Sequence, residues 1–295
     1  MHNSKPTLLS ALLLASLVLA MATSAQAQGR TDGARSLSLA SSFIANGSGN
    51  SALYHNPAGI ATSMMYTIEG SYLYAPDMNT FNASIVDSKL NPQLAGGVAY
   101  SYESSTDNDA ELDGHDIRVA LGSQLIQGRL VGGLSGRYLN YTSGDDSIAN
   151  GFTLDIGAVL RITDGLFIGA SGNNLINVCE RNDPGCPPTL TPRTVGGGLS
   201  FGSPLGIQLS ADVRRDLTDG TEDTWIYASG LELFTAQMFA LRGGYRFLQG
   251  PGDHIAAGGF GIKSQSFGLD LGYQYNFGLE ESRAVVALQL FMMGG

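Results

Sequence analysis

Eleven charged residues recur at positions that an alternating strand would turn away from its apolar side. They are Glu69, Arg118, Arg137, Asp155, Arg161, Asp212, Glu232, Arg242, Arg246, Asp270 and Arg283. A guanidinium presents a planar fork of donors that holds a carboxylate through two parallel hydrogen bonds. The set therefore has two uses: it ties opposing walls together as ion pairs, or it seats the anionic head of a ligand. Candidates for the second use are Arg118, Arg137, Arg161, Arg242 and Arg246, with Asp155 and Asp270 as counter-charges. Arg242 and Arg246 share one strand and are the pair to test first for ligand capture. Five carboxylates against six guanidiniums give no strong preference for ions of either sign.

Other chemistry is sparsely supplied. Beyond the first residues the histidines are His55, His115 and His254, there is no G-x-S-x-G, and neither His115 nor His254 has a serine partner identifiable in sequence. A nucleophile, base and orienting acid cannot be assembled from these, so the chain does not read as an enzyme. Glu103 to Asp116 carries Glu103, Asp107, Asp109, Glu111, Asp113 and Asp116 without a Lys or Arg. It reads as a solvated acidic loop, since it lacks the ordered oxygen spacing and fixed glycine of a calcium hand. Cys179 and Cys186 lie in one Pro-rich loop, Asn174 to Arg193, without the spacing of a zinc or C-x-x-C redox site. In an exported chain the expectation is a local disulfide that staples this loop, with two free thiols as the alternative. No metal and no cofactor are called for.

The elements that must carry these residues repeat one pattern: an apolar residue at every second position, then a turn. Phe267, Leu269, Leu271, Tyr273 and Tyr275 alternate with Gly268, Asp270, Gly272, Gln274 and Asn276. One face suits lipid and the other water, as in strands of a transmembrane barrel. The pattern predicts strands at Tyr66 to Tyr74, Thr80 to Val86, Leu94 to Tyr102, Asp116 to Leu125, Leu130 to Asn140, Gly151 to Ile162 and Leu166 to Asn173. It continues at Thr194 to Phe201, Leu205 to Val213, Thr224 to Leu233, Phe239 to Phe247, His254 to Ile262, Ser266 to Tyr275 and Ser282 to Phe291. The fold class is thus all-β: a 14-stranded antiparallel transmembrane β-barrel, with an even strand count as in single-chain bacterial barrels.

Connections give a check independent of hydrophobicity. Links after even strands, such as Thr163-Asp164-Gly165, are short, whereas Glu103 to His115, Tyr141 to Asn150, Asn174 to Arg193 and Arg214 to Asp223 are long. Short periplasmic turns and longer external loops have this phase, which puts both chain ends in the periplasm. A soluble β-sandwich would need two buried faces, yet charges run along the non-apolar face throughout. Tyr72, Tyr74, Tyr100, Tyr102, Tyr138, Tyr141, Trp225, Tyr227, Tyr245, Phe247, Tyr273 and Tyr275 sit near strand ends, where aromatic girdles form.

Lys5, the apolar run Leu8 to Ala22 and Ala25-Gln26-Ala27 read as a signal peptide cleaved after Ala27. That divides the chain into a signal peptide at 1–27, a hatch at 28–65 and the barrel at 66–295, in the bacterial outer membrane. The formal charge of −10 argues against nucleic acid as a partner. Forty glycines in 295 residues are about twice the usual share and suit a curved, close-packed wall. The segment before the first strand, with Asn56, Pro57, Ala58 and Gly59 at its centre, is long and rich in small residues. A plug inside the lumen is the sheltered place for it.

The stretch S-A-L-Y-H-N-P-A-G-I-A, preceded by A-R-S-L-S-L-A-S-S-F-I-A-N and followed by a strand leading to Y-A-P-D-M-N, resembles the hatch and first hairpin of FadL/TodX-type transporters. These carry long-chain fatty acids and hydrocarbons, and PorV-type barrels of secretion systems are similar. The likeness covers about residues 30 to 80; elsewhere only strand number and general pattern agree. It implies a plugged barrel that passes hydrophobic or amphipathic small molecules, fatty acids among them, with outer-membrane lipids around it. It also implies a lateral exit at a kink in the third strand, where Gly96 and Gly97 lie. The chain departs from the family in its mainly short, acidic loops. The rival reading is a structural or docking barrel of a secretion, motility or envelope protein complex, and a general porin is a third.

Overall fold

A computed structural model describes residues 32–91, 93–105, 112–178, 191–203, 205–218, 224–236 and 238–292. The stretch read as a signal peptide and the pair Cys179 and Cys186, expected as a disulfide, lie outside the described residues. Fourteen strands form: β1 (Tyr66–Tyr74), β2 (Met78–Asp87), β3 (Leu94–Ser105), β4 (Leu112–Ile126), β5 (Leu130–Ser143), β6 (Asp146–Thr163) and β7 (Leu166–Asn173). The second half comprises β8 (Thr194–Gly202), β9 (Ile207–Asp216), β10 (Thr224–Thr235), β11 (Phe239–Leu248), β12 (Asp253–Lys263), β13 (Phe267–Asn276) and β14 (Glu281–Phe291). Each strand pairs antiparallel with its sequence neighbour, and β1 pairs with β14 from Thr67 against Phe291 to Tyr74 against Ala284, which closes the barrel.

Burial along each strand is inverted relative to a water-soluble protein. On β4, Val119 and Leu121 are 54% and 52% exposed, whereas Asp116 and Arg118 on the opposite face are 1% and 2% exposed. Leaving valine and leucine in water while burying charges would be unfavourable on both counts, so the outer face belongs in hydrocarbon. Outward Leu134, Ile156, Leu199, Leu209, Leu241 and Leu288 repeat this around the wall. The protein is an outer-membrane β-barrel.

Three expectations are corrected. Tyr141 to Asn150 is not a long loop: β5 and β6 run on to a tight turn at Gly144 and Asp145, where Gly144 takes the positive φ of 56° that a two-residue hairpin needs. The polar run Thr142 to Ser147 reads as loop, but a register shift at Tyr141 and Thr142 absorbs it into the ladder. Glu103 is not in a solvated acidic loop, and Asp116, counted with that loop while also opening a predicted strand, belongs to the strand; both are 1% exposed and face inward. Tyr141 is no girdle residue, because it lies inside at 2% exposure, packed with Leu139 and Ala149.

The N-terminal segment occupies the lumen. Helix α1 (Ala34–Ser38), helix α2 (Ala52–His55) and a 3₁₀ turn (Pro57–Ala61) bury almost every residue between Asp32 and Ala61. Leu39, Phe43, Leu53 and Ile60 form a core with inward Val86, Ala95, Ala99, Ala120, Val131 and Val159. The plug is thus an apolar core filling a polar cylinder, in contact with opposite sides of the wall.

Candidate functional site

Glycine composition finds its structural reason here. Inward glycines on successive strands stand where the plug comes closest, so that backbone meets backbone. A Cβ on Gly97 would lie 2.7 Å from Leu53, one on Gly122 2.9 Å from Ile60, and one on Gly169 2.6 Å from the Ile44 carbonyl oxygen. Gly133 leaves space for the backbone of Pro57 and Ala58, and Gly244 for that of Leu39 and Ala40. The wall is shaped for this plug, beyond being curved.

Asn56 holds the most connected position. Its side-chain oxygen accepts from Ala58 N at 3.1 Å and caps the 3₁₀ turn, with Pro57 at the first position, where its missing N–H costs nothing. Its amide nitrogen donates to Ile44 O at 2.8 Å, and to the wall at Ala158 O (3.3 Å) and Ala170 O (3.4 Å). Ala158 and Ala170 face each other across β6 and β7. Ala58 packs beneath, and Gly59 meets Gly47 O at a separation no Cβ tolerates.

Two groups of charges line the lumen. In the first, Asp116 accepts from Arg118 at 2.9 Å and from Arg137 at 2.6 Å, Arg118 lies 3.6 Å from Asp155, and Asp155 accepts from Asn174 N at 2.7 Å. Arg137 also donates to the Asn174 side chain, and Arg118 donates to Leu53 O at 3.3 Å and stacks over the Tyr54 ring at 5.0 Å. In the second, Arg242 bridges Glu232 at 2.9 Å and Asp270 at 2.6 Å, while Arg35 of the plug reaches Glu232 at 2.7 Å. Arg242 is therefore committed to wall carboxylates. Arg246 donates to Ser41 Oγ of the plug at 3.2 Å. Arg161 sits at the end of β6 with its side chain 43% exposed and pairs with Asp164 at 2.7 Å.

Further wall groups bind plug backbone. Asp212 accepts from Phe43 N at 2.6 Å and Ile44 N at 3.0 Å, and Gln274 donates to Leu37 O at 2.8 Å. Within the plug, His55 Nε2 lies 2.7 Å from Asp32 Oδ1. Burial works against ionisation of Asp32, but His55, followed by Arg246 and Arg283, outweighs it and holds the carboxyl below its ordinary value. Sequence reasoning missed Arg35 and Ser41, whose wall partners lie more than 170 residues away, Asp32, whose partner His55 lies inside the plug, and Asp116, which reads with the acidic stretch although it also opens a predicted strand.

β3 keeps continuous register with β2 and β4 through Gly96 and Gly97. An apolar depression of about 800 Å³ lies on the lipid side of β3 to β8. Its floor is Gly132, Ala158, Ala170 and Gly172, and its rim includes Leu94, Leu125, Leu134 and Val195. Ala158 and Ala170, which carry the outer depression, are the residues whose carbonyls bind Asn56 from inside.

Solved structures share this architecture. The toluene transporter TbuX of Ralstonia pickettii aligns with a TM-score of 0.65 at 12% identity, over 90% of this chain and all of that one. The toluene transporter TodX of Pseudomonas putida gives 0.64 at 12%, over 90% of this chain and 99% of that one, and the monoaromatic hydrocarbon channel CymD gives 0.63 at 13%, over 90% and 98%. The likeness establishes the fold. No family model matches the sequence, and no curated protein does.

Proposed function

We propose that the protein is a plugged channel for passive passage of small hydrophobic or amphipathic molecules across the outer membrane, with fatty acids and monoaromatic hydrocarbons as candidate cargo. One observation carries the reading: Ala158 and Ala170 join the plug, through Asn56, to the apolar depression on the lipid side of the same wall. Only side-chain hydrogen bonds of 3.3 and 3.4 Å fasten Asn56 to that wall, each worth about 0.5–1.5 kcal/mol net. Movement of the Asn56 turn away from β6 and β7 breaks these bonds and not the ladder, and the plug's bonds to Glu232, Asp212 and Gln274 can stay. Asn56, Pro57, Ala58 and Gly59 form the moving hatch at this wall. Arg118, Arg137, Asp155 and Asp270 brace the lumen. The lateral exit lies at β6 and β7, where wall and plug meet, and Gly97 serves plug packing.

The test is a lock. Ala158→Cys with Ala170→Cys places two thiols on directly paired residues, within reach of a disulfide when Cα atoms are about 5–6 Å apart. Toluene flux into proteoliposomes should fall on oxidation and return on reduction, whereas Leu231→Cys with Gly243→Cys, paired on β10 and β11, should leave it unchanged. Flux that ignores the β6–β7 lock would place the exit elsewhere, and no toluene flux in the parent protein would remove the channel reading.

A further inference from the structure

On the lipid side of the wall the depression is a furrow whose edges follow the strand register. Gly132, Ala158, Ala170 and Gly197 are paired strand to strand from β5 to β8, on the outward face. One row to either side the large residues stand out: Leu134, Ile156 and Val195 on one edge, and Leu160, Ile168 and Leu199 on the other. At the usual strand spacing of about 4.8 Å the four small positions extend about 14 Å, the reach of an acyl chain. Leu125 leans over Gly132, where a Cβ would come within 2.9 Å of it, so the furrow is stopped near the periplasmic end and runs open toward the external one. At that open end Val195 pairs with Arg215, and Arg215 with Trp225. The Arg215 guanidinium lies over the indole at 5.7 Å from its centroid. Arg193, one residue before β8, donates through Nε and Nη2 to Leu217 O at 3.3 and 3.0 Å, which keeps it at the same rim. An indole on the outer face of a barrel marks the depth of the lipid headgroups.

We propose that the furrow seats an acyl chain of a phosphorylated glycolipid of the outer leaflet, with its phosphates at Arg193 and Arg215 beside Trp225. The occupant is a lipid because the furrow is continuous with the hydrocarbon-facing wall, and a hollow there left unfilled would forfeit the packing contacts of its lining. It is anionic because two guanidiniums stand at headgroup depth over the open end. A guanidinium carries five donors in a fork that matches phosphate and can hold one alongside a neighbouring acceptor. Two of them suit a headgroup with two phosphates better than one with a single phosphodiester. The external position of the open end selects the outer leaflet. This site goes beyond the channel reading and does not depend on it.

Trp225 is the one tryptophan of the chain, so its emission reads the site without a label. The intact protein in micelles is titrated with lipid A, which carries acyl chains and two phosphates, with its dephosphorylated form, and with phosphatidylglycerol. Lipid A should bind saturably, shift the emission, and bind about tenfold or more tighter than either comparison lipid, the scale of a charge-assisted hydrogen bond. Native mass spectrometry counts the bound lipid and serves the variants. Arg215→Gln should abolish the preference for the phosphorylated form. Gly197→Leu, at a position where a Cβ would meet only the Gly169 carbonyl oxygen at 3.6 Å, should fill the furrow and weaken both forms of lipid A. Equal affinity of the phosphorylated and dephosphorylated forms in the parent protein overturns the inference, a comparison that needs no variant to fold. Equal affinity for phosphatidylglycerol overturns the assignment to the glycolipid, and unchanged binding in a folded Gly197→Leu barrel overturns the furrow. Toluene flux in proteoliposomes tests the channel separately: flux without lipid preference sinks this inference alone, and lipid preference without flux leaves the site standing while the channel falls.

Discussion

Asn56 and Gly157 share one volume: the amide oxygen of Asn56 stands where a Cβ on Gly157 would have to be. Gly157→Val therefore cannot coexist with the seated plug, although the β-branched side chain suits a strand. We expect the barrel to assemble and the plug to be displaced, with larger and more variable single-channel currents than the parent. Gly96→Val, whose Cβ would meet nothing within 4 Å, is the control and should be silent. Identical currents in both variants would mean that the plug does not limit conductance.

Asp116 accepts from two guanidiniums at once, so Asp116→Asn leaves Arg118 to Asp155 at 3.6 Å and Arg137 to the neutral Asn174 side chain in a buried site. Removing one partner of a buried ion pair typically costs about 3–5 kcal/mol. Urea unfolding in lipid vesicles should show a loss of that order, while Asp113→Ala, which removes a 2.8 Å bond from the Tyr102 hydroxyl at the partly exposed strand end, should cost far less. Equal losses would argue that the lumen is more hydrated than its burial implies.

Glu232 links the plug to the wall, because it accepts from both Arg35 and Arg242. Arg35→Gln should loosen α1 without opening the barrel. Amide exchange at residues 34–38 should accelerate while the β10 and β11 ladders stay protected. A double-mutant cycle with Glu232→Gln should yield a coupling of about 1–3 kcal/mol. A coupling near zero would show that the plug is held by packing alone.

The strand count was legible because lipid imposes strict alternation: Phe267 to Asn276 has one face for hydrocarbon and one for the lumen, and no soluble packing blurs it. Loop lengths were less legible. The stretch Tyr141 to Asn150 is interrupted by the polar run Thr142 to Ser147, so periodicity vanishes although the β5–β6 ladder continues. Asp116 reads with its acidic neighbours as loop although the alternation also opens a strand there, and its own side chain turns inward. The plug was legible in N-P-A-G, where Pro57 and Gly59 have local jobs. Its contacts were not, because Arg35 to Glu232 and Asp212 to Phe43 join residues that only barrel closure brings together.

The Asp32 and His55 contact sets how the plug responds to acid. The folded carboxyl of Asp32 lies below its ordinary value of 3.8, since His55, Arg246 and Arg283 outweigh burial. A depressed carboxyl contributes stability that is complete above the unfolded value of about 3.9 and is lost as pH falls through the folded one. The plug should therefore keep its protection through mildly acidic conditions and loosen only in stronger acid, below about pH 4. Asp32→Asn should remove the contribution at neutral pH, so parent and variant differ most there and converge as acid protonates the parent. Amide exchange over residues 34–44 across a pH series reads both arms. Loosening of the parent plug already above about pH 5 would assign control to a group other than this carboxylate.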